Sequence, residues 1–131
     1  LLKHALVEPD PLLRATIARG VGELGWLPAD PVLDKLLSDS DVRVRVEALV
    51  ALAGIRRQLD VDFLRKALKS KDVRLRAAAV RAVPLAMSER VAEGRKSLLV
   101  LVGDRGRVVD PLGVTAPTTI GALARLGLLV L

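Results

Sequence analysis

Asp10 and Arg14, Asp41 and Arg45, and Asp72 and Arg76 set a carboxylate and a guanidinium four residues apart, three times over, at intervals of 31 residues. Two chemistries suit such pairs. A row of available guanidiniums would grip anions, since each presents a planar fork of donors. A row of paired ones would tie neighbouring units together through charged hydrogen bonds. Catalysis has little to draw on. The sole histidine, His4, falls on the solvent side of the first helix, without a serine or cysteine at a recognisable spacing. No H-E-x-x-H, phosphate-loop or dinucleotide fingerprint occurs. Asp60 and Asp62 flank Val61 as a helix start rather than as an acid/base pair. Gly20, Gly22 and Gly25 stand at the end of an amphipathic segment, the wrong end for a phosphate cradle. There is no cysteine, hence no disulfide framework and no cysteine metal site. These readings predict a non-enzyme with no catalytic residue, cofactor or metal.

The charged pairs must be positioned by the elements around them. At a shift of 31, the segments before the aspartate read LLKHALVEPD, VLDKLLSDSD and FLRKALKSKD. Apolar residues recur at Leu1/Val32/Phe63, Leu2/Leu33/Leu64, Ala5/Leu36/Ala67 and Leu6/Leu37/Leu68, which makes one helical stripe. After the aspartate they recur at Pro11/Val42/Val73, Leu13/Val44/Leu75, Ile17/Ala48/Ala79, Ala18/Leu49/Val80 and Val21/Leu52/Val83, a second amphipathic helix. The aspartate lies at the junction, where an N-cap carboxylate accepts from free N–H groups and meets the positive end of the helix dipole. At 100° per residue, the apolar arc of the second helix centres near Arg14, Arg45 and Arg76. These arginines therefore turn inward and need partners. The repeating aspartates are the expected ones, giving an Asp–Arg ladder that sets the stacking register.

A regular period of this size means stacked supersecondary units. The segments SDSDVRVRVEALVALAG (residues 38–54), KSKDVRLRAAAVRAV (69–83) and, more loosely, EPDPLLRATIARGVGELG (8–25) resemble HEAT repeats of the short, phycobilisome-lyase-like subtype. The resemblance covers residues 1–87 well. It implies an all-α solenoid of about four stacked antiparallel helix pairs, commonly a platform for partners. One domain is expected over 1–131, with units at about 1–31, 32–62, 63–94 and 95–131. Leu1 already falls in the first helix and the chain stops on Leu-Val-Leu, so both ends are expected to be cuts through a longer protein.

The fourth unit departs from the pattern. After a link around 88–94, Leu98 and Leu99 take the first-helix positions. Residues 103–119 then carry prolines and glycines that exclude an unbroken helix, and no arginine follows Asp104 or Asp110 by four. A last helix is expected from about Pro117 to Arg125, capped by Thr115 and stopped at Gly127. Arg105 and Arg107 of this loop are expected to be exposed, and a binding insertion is one reading of it. A worn terminal repeat is the other, favoured one. Residues 26–31 read as a linker, with Trp26 covering the edge of the core. No strand is required.

Charge is the remaining signal. The net charge is +6, yet residues 1–55 carry six basic and eight acidic side chains, whereas 56–107 carry fourteen and six. Arg19, Arg43, Arg74 and Arg81 fall on the solvent face of the second helices; the resemblance implies that these helices line a concave side, where the four would form a basic stripe. Such a stripe attracts polyanions, but aromatics for base stacking are nearly absent. The reading favoured is a cytoplasmic scaffold, not membrane-bound, that takes a protein partner through its concave face. The alternatives are a nucleic-acid-binding module and, from the repeat subtype alone, a bilin-lyase-like subunit.

Overall fold

The computed structural model describes residues 2–56, 59, 61–87, 90–108 and 118–130. Leu1, Asp60, Thr115 and Pro117, for which helix positions and caps were expected, lie outside that set. The elements in chain order are α1 (Leu2–Ala5), α2 (Pro11–Glu23), a 3₁₀ turn (Leu27–Ala29), α3 (Asp30–Leu36), α4 (Val42–Arg56), α5 (Val61–Leu68), α6 (Val73–Ala86), α7 (Val91–Leu99), β1 (Arg107–Val108), β2 (Thr118–Thr119) and α8 (Ile120–Val130). The fold is an all-α helical repeat. Helices α2, α4 and α6 begin at Pro11, Val42 and Val73, which are 31 residues apart.

Each of these starts has the same cause. Asp10 accepts from the Leu12 N–H at 2.8 Å, Asp41 from the Arg43 N–H at 2.8 Å and Asp72 from the Arg74 N–H at 2.9 Å. One otherwise unsatisfied donor per helix is thereby answered. Helix α2 ends in a Schellman motif. Gly25 sits at φ +61, its N–H donates to Gly22 O and the Trp26 N–H donates to Val21 O. Residues 26–31 are more ordered than a linker: Leu27–Ala29 forms the 3₁₀ turn and Asp30-Pro31 already opens α3. Trp26 is 44% exposed, so it caps the core edge only in part.

Helices α2, α4, α6 and α8 stack on one another in sequence, while α3, α5 and α7 lie against α4, α6 and α8. The first helices touch each other little. Helix α4 belongs to two cores. Val44, Ala48 and Leu52 join Ala18 and Leu33 on one side, and Val46, Leu49 and Ala53 join Leu64 and Val80 on the other. A helix buried on both flanks is expected to be apolar nearly all round. Small residues let the stacked rank close up. A Cβ on Gly22 would lie 2.5 Å from Ala51 Cβ, so α2 and α4 meet with no room for a methyl group.

Several expectations need correction. Leu13 is 45% exposed, whereas its equivalent Val44 is fully buried, because no preceding second helix covers it. Gly94 is not part of a link but a buried residue within α7. Gly127 does not stop the last helix, which runs on to Val130. It is buried where a Cβ would lie 2.8 Å from Leu98 and 3.3 Å from Pro84, so its role is close packing. A short antiparallel strand pair, Arg107↔Thr119 and Val108↔Thr118, closes the fourth-unit loop. The start of α8 is set by that loop. The Ile120 and Gly121 N–H groups donate to Gly106 O and Asp104 O, and the Ala122 N–H donates to Thr119 Oγ1.

Candidate functional site: the charged rank of second helices

The inter-unit ladder exists, but the repeating aspartates are not its acids. Arg14 donates through Nε and Nη2 to both oxygens of Asp39, at 2.8 and 2.9 Å. Asp39 is in the turn of the next unit, two residues before Asp41. The Arg14 Nη1 also donates to the carbonyls of Glu8 and Pro9 in its own turn, at 2.6 and 3.2 Å. Arg76 repeats the arrangement, donating to Asp104 at 3.1 Å and to the carbonyls of Ser70 and Lys71. Arg45 keeps only the local half, donating to the carbonyls of Asp39 and Ser40. The residue that would answer it across the interface is Ser70, which is no carboxylate. The side chains of Arg14 and Arg76 are 12% and 19% exposed, in line with the inward phase read from the sequence.

These turn positions share a further bond. Glu8, Asp39, Ser70 and Asp104 accept from the N–H two residues on, at Asp10, Asp41, Asp72 and Gly106. Asp104 is thus the fourth-unit counterpart of Asp39, not a lost junction aspartate. Sequence reading missed this position because it searched for an arginine four residues after each aspartate. The available signal was the polar residue two before each junction, in EPD, DSD and SKD. Burial works against the charge of Asp39. The Arg14 fork and the Asp41 N–H nevertheless hold its carboxyl below the ordinary carboxylate range.

The junction aspartates instead hold the arginine two residues on. Asp41 binds Arg43 at 2.7 Å and Asp72 binds Arg74 at 3.0 Å. The Arg43 bond holds the Asp41 carboxyl down to about 2, and the Arg74 bond likewise depresses Asp72. Arg43 also feels Asp10, and Arg74 feels Asp41. Acids and bases therefore alternate along this edge of the rank, and two members of the expected basic stripe are neutralised in place.

Arg19, the third member, is not solvent-facing. Its Nε and Nη2 donate to Glu47 at 2.9 and 2.7 Å, bridging α2 to α4, and the two side chains are 15% and 4% exposed. Glu47 was not singled out in the sequence. Its signal is a carboxylate at the position equivalent to Thr16 and Ala78. Arg81, the fourth member, lies half-buried on α6 in the same groove of about 310 Å³, whose floor includes Gly22, Val50, Ala51 and Gly54. The expected stripe is therefore not one continuous surface. Arg43 and Arg74 lie at the helix starts, and Arg19 and Arg81 flank a buried carboxylate. Arg105 and Arg107 are exposed as expected.

Among the described residues, no group of three or more histidines, cysteines or carboxylates could hold a metal ion. No helix there is long and apolar enough to cross a membrane. No curated protein matches the sequence. A family model of HEAT repeats matches residues 1–84. That match spans more than half of the sequence and covers the units whose helix caps repeat, so the chain belongs to the HEAT-repeat family.

Proposed function

We propose that this chain is a non-catalytic scaffold that binds a protein partner along the groove crossing α2, α4 and α6. HEAT repeats generally serve as protein-interaction scaffolds. The observation that carries the reading is the groove itself. It runs over three consecutive second helices, its floor is glycine, alanine and valine, and its arginine–glutamate pair is already satisfied from within. A surface of that kind favours apolar and shape-matched contacts over the phosphates of a polyanion. The second helices crowd together while the first helices spread apart, which supports placing the groove on the inner side of the curve. Arg105 and Arg107 offer exposed charges in the fourth unit that could extend the contact.

The test is affinity capture with identified partners, comparing the native chain with Gly54→Trp. A Cβ at Gly54 meets nothing within 4 Å, so the indole fills the groove without entering the core. The partner recovered with the native chain, once purified, should lose at least about tenfold in affinity for the variant, as for a plugged contact centre. Equal affinity for both chains would overturn the reading, as would tight binding of duplex DNA that Gly54→Trp leaves intact.

A further inference from the structure

We propose a second docking surface, the cleft between α5 and α7, and that its partner is an acidic amphipathic protein segment. The cleft has a volume of about 320 Å³ and is lined by Arg65, Leu68, Lys69, Glu93, Lys96 and Val100, among others. It opens because the first helices stand apart while the second helices stack. Its charge differs in kind from that of the inner rank. Glu93 takes up Arg65, which also reaches Asp62 at 3.3 Å, and Arg90 lies 3.9 Å from the same Glu93. Lys69 and Lys96 are exposed, and among the described residues no ion pair engages either one. The cleft thus keeps two uncompensated ammonium groups. Lys66 on α5, Lys71 in the turn after it and Arg95 on α7 lie close by in the sequence, and residues 56–107 carry fourteen basic side chains against six acidic ones.

Apolar surface lies between the lysines. Val100 is 81% exposed and the neighbouring Leu99 59%, while Leu68 and Leu101 line the cleft behind them. An exposed valine framed by cations is matched by a segment with leucine-like side chains on one face and carboxylates on the flanks. A nucleic-acid backbone would meet the lysines but gain nothing from covering Val100, and among the described residues no aromatic side chain lines the cleft for a base to stack on. The apolar surface between the lysines therefore selects an acidic amphipathic peptide over a polyanion.

The probe is a fluorescein-labelled helical peptide of about 15 residues, with leucines at i, i+3, i+4 and i+7 and glutamates on both flanks. Fluorescence anisotropy should show saturable binding that weakens about tenfold in Lys69→Glu/Lys96→Glu. It should weaken by a similar factor in Val100→Asp, a change at an exposed site that leaves the core alone. Raising the salt from about 0.05 to 0.5 M should weaken binding to the native chain and have less effect on the lysine double variant. Unchanged affinity in either variant, with helix content and melting midpoint preserved, would overturn the proposal. So would equal affinity for an unpatterned polyglutamate of the same charge, displacement of the peptide by equimolar duplex DNA, or no saturable binding at all.

Discussion

The groove over α2, α4 and α6 and the cleft between α5 and α7 both contain arginine and glutamate, yet they solve the charge problem in opposite ways. In the groove, Glu47 is 3% exposed and Arg19 closes on it with both ends of its fork. The pair joins two helices and leaves little charge for a partner. In the cleft, Arg65 and Glu93 meet at 54% and 31% exposure, and Lys69 and Lys96 stand beside them uncompensated. A buried carboxylate without its counter-ion is costly to the fold, whereas an exposed lysine costs almost nothing and remains available. Arg14, Arg19 and Arg76 therefore work inside the stack, whereas Lys69 and Lys96 stand outside it. The basic balance of the sequence says nothing about this division.

The contrast can be broken most forcefully at Arg19. Arg19→Met should lower the unfolding free energy by about 3 kcal/mol, because Glu47 is left in a site with almost no solvent. Urea unfolding measures this, and a loss below about 1 kcal/mol would place the pair in effect at the surface. Next comes the ladder. Arg14→Ala removes a two-pronged bond to Asp39 as well as two carbonyl contacts and should cost about 2 kcal/mol. Arg45→Ala removes carbonyl contacts alone and should cost about 1 kcal/mol. Equal losses would mean that the acid across the interface contributes nothing.

Adding the missing acid is a sharper and smaller test. Ser70 already accepts from the Asp72 N–H, as Asp39 does from the Asp41 N–H. Ser70→Asp keeps that bond and gives Arg45 the counter-ion its equivalents have, so stability should rise by about 0.5–1 kcal/mol. The gain should vanish in Arg45→Ala, which a double-mutant cycle reads directly. The smallest effect belongs to the cleft. Lys69→Ala/Lys96→Ala should change stability by less than about 0.5 kcal/mol, as for surface residues that make no specific bond. A larger loss would mean that these lysines hold the helices together.

Much of the fold was legible in the sequence, and the reasons are local. The aspartate caps at 10, 41 and 72 act on donors within three residues, so their spacing alone announces where α2, α4 and α6 begin. The apolar stripes repeat with the helical period, and the buried set of Leu33, Leu64, Leu52 and Val83 follows them. The inward phase of Arg14 and Arg76 was legible for the same reason. Gly127 was misread because a glycine near a helix end resembles a stop. Only the approach of Leu98 and Pro84 shows that it is a packing residue.

By itself, then, the sequence determined the helix pairs, their caps and the direction in which the repeating arginines point. Each of those follows from interactions a few residues long and a fixed angular step. The tertiary structure alone decided which carboxylate each arginine meets. The Arg14–Asp39, Arg76–Asp104 and Arg19–Glu47 pairs span 25 to 28 residues. No local periodicity encodes a distance that depends on how one unit settles on the next. The same stacking decided which cations are consumed inside the array and which, at Lys69 and Lys96, are left facing an open cleft.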